Sequence, residues 1–219
     1  MRTITGAKPK DGGETRASAR DEFLGAVSTL MRERDDLDIP LAEIAARAGG
    51  SAALVKYYFG NKEGLYFALL ERDVKASLAS MEALLATKMD PLRMLRSHLT
   101  GLVRGYSRTP YLNRLIQIML RECSPERREV IVRDFVAPVA RAHEHILTAG
   151  IEAGVFRVVD PMLFYFQAIG SADSLYSHKA TVREVFHRTK IDEETHEKNV
   201  KQVVDILVNG VLKHPKDGA

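Results

Sequence analysis

A single cysteine, Cys123, in 219 residues has no second thiol to pair with. That excludes the disulfide framework of small secreted domains and fits a reducing cytoplasm. Long apolar runs are missing as well. A membrane-spanning helix needs about 20 apolar residues, and the longest stretch here, 162–169, already contains Gln167. Near the N-terminus Gly12, Gly13 and Glu14 follow Lys8 and Lys10, so the apolar segment of a signal peptide is absent. The expectation is a cytoplasmic protein with no membrane partner. Catalytic signatures are also lacking: there is no phosphate-binding glycine loop, HExxH or GxSxG. The chain therefore reads as a non-enzyme, with no cofactor and no metal implied.

What is present is an ordinary globular composition, 45% hydrophobic and 28% charged, with a net charge of only +3. This balance does not by itself establish nucleic-acid binding. The first twenty residues hold Arg2, Lys8, Lys10, Arg16 and Arg20 against Asp11 and Glu14. Such a basic arm either tracks a phosphate backbone or, over 1–13, is a solvated tail.

Apolar residues recur at helical spacing and strand-like alternation is nearly absent, so the expected fold class is all-α. A first helix is predicted over 15–34, with Phe23, Val27, Leu30 and Met31 inward. A short second helix carries Leu41, Ile44 and Ala45 and stops at Gly49-Gly50. Ser51 caps a third through Phe59, and Asn61 caps a long fourth through Leu85. Asp90-Pro91, Ser124-Pro125 and Asp160-Pro161 each pair a cap with the residue best tolerated at a helix start. Pro138 is expected to kink its helix, Gly150 and Gly154 to end it, and a last helix to span 193–212.

Residues 41–65, LAEIAARAGGSAALVKYYFGNKEGL, concentrate the functional signal. Two short helices joined by a tight glycine turn let the second project into a DNA major groove. With Val55 and Tyr58 as anchors, Ser51, Ala52, Ala53, Lys56 and Tyr57 point outward. Small residues permit close approach, Lys56 can meet a phosphate or a guanine edge, and Tyr57 can stack or donate. The wholly structural alternative is a helical hairpin with Tyr57, Tyr58 and Phe59 all in the core.

In its Ile44-Ala45, Ala48-Gly49, Ser51, Tyr58-Phe59, Lys62-Glu63 and Leu65, in this order and spacing, the chain resembles the TetR family of one-component regulators. The likeness is specific over about 15–70; beyond that it rests on an all-helical layout and on the loop 149–161. It implies an N-terminal three-helix DNA-binding domain over 1–60 and a C-terminal helical bundle over 61–219 that binds an effector and dimerises. It further implies a homodimer on a palindromic double-stranded operator, repressing until a small molecule releases it. By position Ser51, Ala52, Ala53, Lys56 and Tyr57 would face DNA, and Tyr58, Lys62, Thr15 and Arg16 would contact phosphate. The chain departs from the family at three places. Ile39-Pro40 stands where a capping Ser or Thr is usual, leaving Asp38 as the substitute cap. Gly50 replaces an apolar residue and is expected to loosen the turn. Lys56 replaces an aromatic. Residues 1–62 hold 10 Lys/Arg and 9 Asp/Glu, so binding would rely on placed contacts more than on field.

For the effector, Met94, His98, Tyr106, Met119, Glu122, Phe164 and Gln167 are the candidate lining, since such pockets are apolar with a few polar groups. Each has a plainer reading as core or surface. His98, flanked by Gly101 and Gly105, either borders a concavity or is a satisfied histidine. His143 and His145 lie on different sides of a helix and cannot easily share one ion. Dimerisation is assigned to 161–178 and 193–212, whose apolar residues exceed what one helix face needs. The alternative function is a DNA-binding protein of the same fold gated by a protein partner.

Overall fold

The structure, a computed structural model, describes residues 12–34 and 36–213, with side chains from residue 19 onward. The chain separates into two compact units, Met1–Leu69 and Leu70–Ala219. Among the described residues there is no β-strand, only an isolated antiparallel bridge between Phe156 and Leu212. The fold is all-α.

The first unit holds α1 (Gly12–Arg34), α2 (Leu41–Arg47), α3 (Ala52–Phe59) and the start of α4 (Lys62–Leu85). The inward stripe of α1, Phe23, Val27, Leu30 and Met31, is buried at the expected spacings, as are Ile44 and Ala45 of α2 and Val55 of α3. Tyr66 donates its hydroxyl to the Leu37 carbonyl, tying the link before α2 to α4. Arg34 donates to Glu43 at 2.7 Å and Arg47 to Glu33 at 2.9 Å. These exposed pairs orient α1 and α2 more than they stabilise them.

The second unit continues α4 and adds α5 (Pro91–Arg108), α6 (Leu112–Glu122), α7 (Pro125–Ile131), α8 (Ala137–Glu152), α9 (Pro161–Ser177), α10 (Lys179–Glu184) and α11 (Glu193–Val211). The predicted caps are made. Asp90 accepts from the Arg93 amide at 3.1 Å, and Asp160 accepts from those of Met162 and Leu163 at 2.8 and 3.1 Å. Helix α5 lies at the centre, packed on α8, α9 and α11. Leu95, Leu99, Ile146, Phe164, Ala168 and Val208 form one buried cluster, with Leu84 and Leu85 of α4 packed against it.

Two glycine and proline expectations need restating. Ahead of Pro138, where a kink is expected, the helix widens into a π-helical turn, Val132–Val136, between α7 and α8. Proline lacks an amide donor and its ring crowds the carbonyl four residues back, and a widened turn relieves both. Gly150 does not end α8, which runs to Glu152. Its hydrogen lets Phe156 fold back, because a Cβ there would lie 1.9 Å from the Phe156 ring. Gly154, at φ +71°, makes the left-handed exit. Beyond it the Arg157 amide donates to the Val211 carbonyl at 2.9 Å and the Lys213 amide to the Val155 carbonyl at 3.0 Å. Helix α10, unforeseen in the polar stretch after α9, has no buried residue to betray it.

Candidate nucleic-acid interface and effector site

Helix α3 buries Val55 completely and turns most of its other residues outward. Ser51, Ala53, Lys56 and Tyr57 are exposed, Tyr57 at 65%, while Ala52, Tyr58 and Phe59 are half-buried. The three adjacent aromatics thus divide: the Tyr58 and Phe59 rings pack on Phe23 at centroid distances of 6.0 and 6.4 Å, while Tyr57 meets Tyr58 edge to face at 5.2 Å and keeps most of its surface exposed. Ser51 has two assignments at once, since its hydroxyl caps α3 by accepting from the Leu54 amide at 3.3 Å while the residue stays exposed. Asn61 caps α4, accepting from the Gly64 amide at 2.8 Å.

The turn between α2 and α3 is not loosened by Gly50. Gly49 supplies the left-handed residue at φ +68°, and Phe23 packs so close to Gly50 that a Cβ would meet its Cζ at 2.8 Å. The ring takes the place of the missing side chain. Asp38 does not cap α2 either. The N-cap position is Pro40, with no side-chain cap, and a carboxylate two residues earlier is poorly placed for the first amides. Asp38 instead pairs with Lys62, which holds its carboxyl below the usual range through a hydrogen bond and charge. The Lys62 ammonium also lies 5.5 Å from the centre of the Tyr66 ring. Reaching a phosphate would mean exchanging Asp38 for it. The side chains of Thr15 and Arg16 lie outside the described residues.

One residue of this face escaped the sequence, and one residue of the basic arm makes a contact that the sequence did not foretell. Leu54 is 44% exposed beside Tyr57, and its apolar character disguised its place on the outer arc. Counting 100° per residue from buried Val55 would have found it. Arg20 holds its guanidinium 5.4 Å from the centre of the Phe59 ring at the end of α3, a contact across 39 residues with no local signature.

In the second unit Met94, His98, Tyr106, Met119 and Phe164 are buried. Glu122 is exposed at the end of α6, and Gln167 is exposed on α9, where it lines a surface groove. This groove, about 530 Å³, lies among Arg157, Asp160, Leu163, Phe164 and Ile206 on α9, α11 and the loop before α9. The same two helices expose Met162, Leu163, Phe166 and Ile206.

The interior has a residue the sequence had set aside. His143 is fully buried, and its ring lies 4.8 Å from that of His98, edge to face at 81°. Phe164 and Tyr165 flank it at 5.4 and 5.7 Å. Burial pushes His98 down to about 4; burial, then the neighbouring His98, pushes His143 down to about 3. Both imidazoles are neutral at neutral pH. Further along α9, Asp173 is buried with one oxygen accepting from Asn113 at 2.9 Å and the other without a partner. Burial, then Asp173 and Tyr165, push the nearby Tyr106 hydroxyl up. Among the described residues one group of three, Glu193, His196 and Glu197, brings metal-ligand atoms together. It sits at the solvent-facing start of α11, with His196 Nδ1 2.6 Å from the Tyr176 hydroxyl oxygen, and reads as a charged surface.

Comparison with known proteins finds relatives of the same all-α fold. Residues 88–217 match the family model of the tetracyclin repressor-like C-terminal domain. The chain is 25% identical over 172 residues to the HTH-type transcriptional regulator RutR of Escherichia coli K12, covering 78% of this chain and 80% of RutR. A TetR/AcrR-family regulator of Thermobifida fusca superposes with TM-score 0.64 at 24% identity, covering 88% of this chain and 98% of the other. The regulator FadR of Bacillus subtilis in complex with stearoyl-CoA superposes with TM-score 0.64 at 19% identity, covering 87% and 98%. No helix among the described residues is long and apolar enough to cross a membrane.

Proposed function

Because the chain belongs to the TetR family of transcriptional regulators, we propose that it binds a palindromic operator as a homodimer, represses, and is released by a small molecule held in the second unit. The observation that carries the DNA reading is α3 itself. A helix with one fully buried residue, and with Ser51, Ala53, Lys56 and Tyr57 exposed along it, is built to be covered by something other than its own domain.

The exposed Met162, Leu163, Phe166 and Ile206 support pairing of α9 and α11 with their copies in a four-helix contact, which would bury them. A twofold dimer sets two α3 helices roughly 34–36 Å apart, one turn of DNA. Helix α4 supports a coupling route. It is continuous from Lys62 to Leu85, and its far end packs on the cluster that contains Met94 and Phe164. A ligand that rearranges this cluster tilts α4 and alters the spacing that DNA fixes. By linkage, operator then weakens the ligand by the same factor. That FadR is described with stearoyl-CoA supports a small-molecule effector as a class, not that effector.

The test is selection of bound sequences from a random duplex pool by the full-length protein, with sedimentation of the free protein at micromolar concentration. The expected result is an inverted-repeat site and a dimer. A monomer, or selection of no sequence, ends this reading. Release from the site by a protein partner, with no active small molecule, favours the partner-gated alternative.

A further inference from the structure

We propose that His98 and His143 form the polar end of the effector site and take a small uncharged ligand whose hydroxyl, carried on an apolar body, both donates and accepts a hydrogen bond there. The inference rests on the effector-release reading above and names the class of effector.

A neutral imidazole offers one donor and one acceptor, and buried polar atoms in a finished core are nearly always paired. Here neither ring nitrogen of His143 has a protein partner among the described residues, and nor has Nε2 of His98, although the two residues are 0% and 6% exposed. A leucine at either position would fill such an interior without leaving polar atoms unmatched. Three unmet positions on two touching rings, flanked by Phe164 and Tyr165, describe a site with a polar end and an apolar body.

Along α5, Met94, His98, Gly101 and Gly105 follow at spacings of four, three and four, which stack them on one stripe. A Cβ built on Gly101 or on Gly105 would meet no atom within 4 Å, and Gly101 is exposed. The face of α5 one turn from His98 is therefore open to solvent at Gly101. Gly101 and Gly105 keep that strip bare.

The chemistry selects the ligand's head. Both rings are uncharged, so a carboxylate or phosphate would find no opposite charge and would lose its hydration on entry. A metal ion is not favoured, because the pair gathers no third ligand group among the described residues. A purely hydrocarbon ligand would leave the nitrogens as unmatched as before. A hydroxyl meets a neutral imidazole either way, donating to its bare nitrogen or accepting from its N–H.

The test uses benzyl alcohol, toluene and benzoate as probes of one shape with full-length protein labelled with 15N at histidine. Benzyl alcohol is expected to shift the ring-nitrogen resonances of His98 and His143 and to bind at least tenfold tighter than toluene, with benzoate weaker still. His143→Leu should remove that tenfold preference while the melting temperature of the free protein stays level or rises. Equal binding of toluene and benzyl alcohol, or unmoved ring-nitrogen resonances, overturns the proposal on the unsubstituted protein alone. So does an enclosed water that keeps its contacts to both rings when benzyl alcohol is present. If operator is bound while the probe result is negative, only this inference falls; if no DNA is selected, the regulator reading falls with it.

Discussion

The two units treat their polar groups in opposite ways. Over residues 19–69 the notable polar side chains stand at the surface and have jobs there: Ser51 caps, Asp38 holds Lys62, and Arg34 and Arg47 bridge to acidic residues. Over 70–213 the unusual polar atoms are inside. His98 Nε2, both nitrogens of His143 and Asp173 Oδ1 are buried without a partner, and among the described residues of the first unit there is no counterpart. A surface meant for DNA can leave its polar groups wet until the partner arrives. An interior cannot, because an unmatched buried group costs about 1–3 kcal/mol. Where a fold retains several, something else is to be matched to them.

The largest expected expression of this contrast is in acid. An unfolded histidine titrates near 6.5, whereas His98 and His143 are held to about 4 and about 3 in the folded protein. Between these values the unfolded chain binds protons that the folded one refuses. Stability is therefore full above about pH 6.5 and falls as pH drops toward 4, by up to about 1.4 kcal/mol per pH unit for each histidine. Urea titrations from pH 7 to 5 measure it, and the His98→Leu/His143→Leu double variant should flatten the slope. An unchanged slope would erase the contrast between the units.

Next in size is Ala53→Leu. Ala53 is exposed, so the domain should keep its melting temperature, but the added bulk would stand on the face of α3 proposed to enter the groove. Operator affinity should fall by about 100-fold or more, near 2.7 kcal/mol, in fluorescence anisotropy. Full affinity would mean that another surface meets DNA.

Gly150→Ala is the internal counterpart. Its Cβ would lie 1.9 Å from the Phe156 ring, so denaturation should report a loss of about 1–3 kcal/mol from overpacking. A neutral result would mean that Phe156 is held less firmly than the bonds of its neighbours Val155 and Arg157 to Lys213 and Val211 imply. The smallest effect belongs to Lys56→Ala. Affinity should drop about equally for all sequences, and the slope of log affinity against log salt should flatten by about one counterion. A change in sequence preference with an unchanged slope would instead place Lys56 on a base edge.

Much of this protein was legible before any coordinates. The Asp-Pro and Ser-Pro starts, the caps at Ser51 and Asn61, and the stripe of α1 are local. Each depends on residues within a turn or two, which is the range over which helix propensity, capping and periodicity act. The same locality made the outward set on α3 readable, because one firmly inward residue, Val55, fixes the phase of the others. Leu54 was missed only because its chemistry outvoted its position.

What the tertiary structure alone decided is which inward residue meets which. Periodicity says that His98 and His143 each belong to a helix; it cannot bring together two rings 45 residues apart. Nor can it say that Asp38 would desert α2 for Lys62, that Phe23 would fill the space over Gly50, or that Phe156 would fold onto Gly150. Local rules act through the backbone and are written in neighbouring residues, whereas these contacts depend on how whole helices pack. The sequence by itself determined most of the helices and the outward set on α3, and the packing of α5 with α8 and α9 decided where the unmatched imidazoles lie.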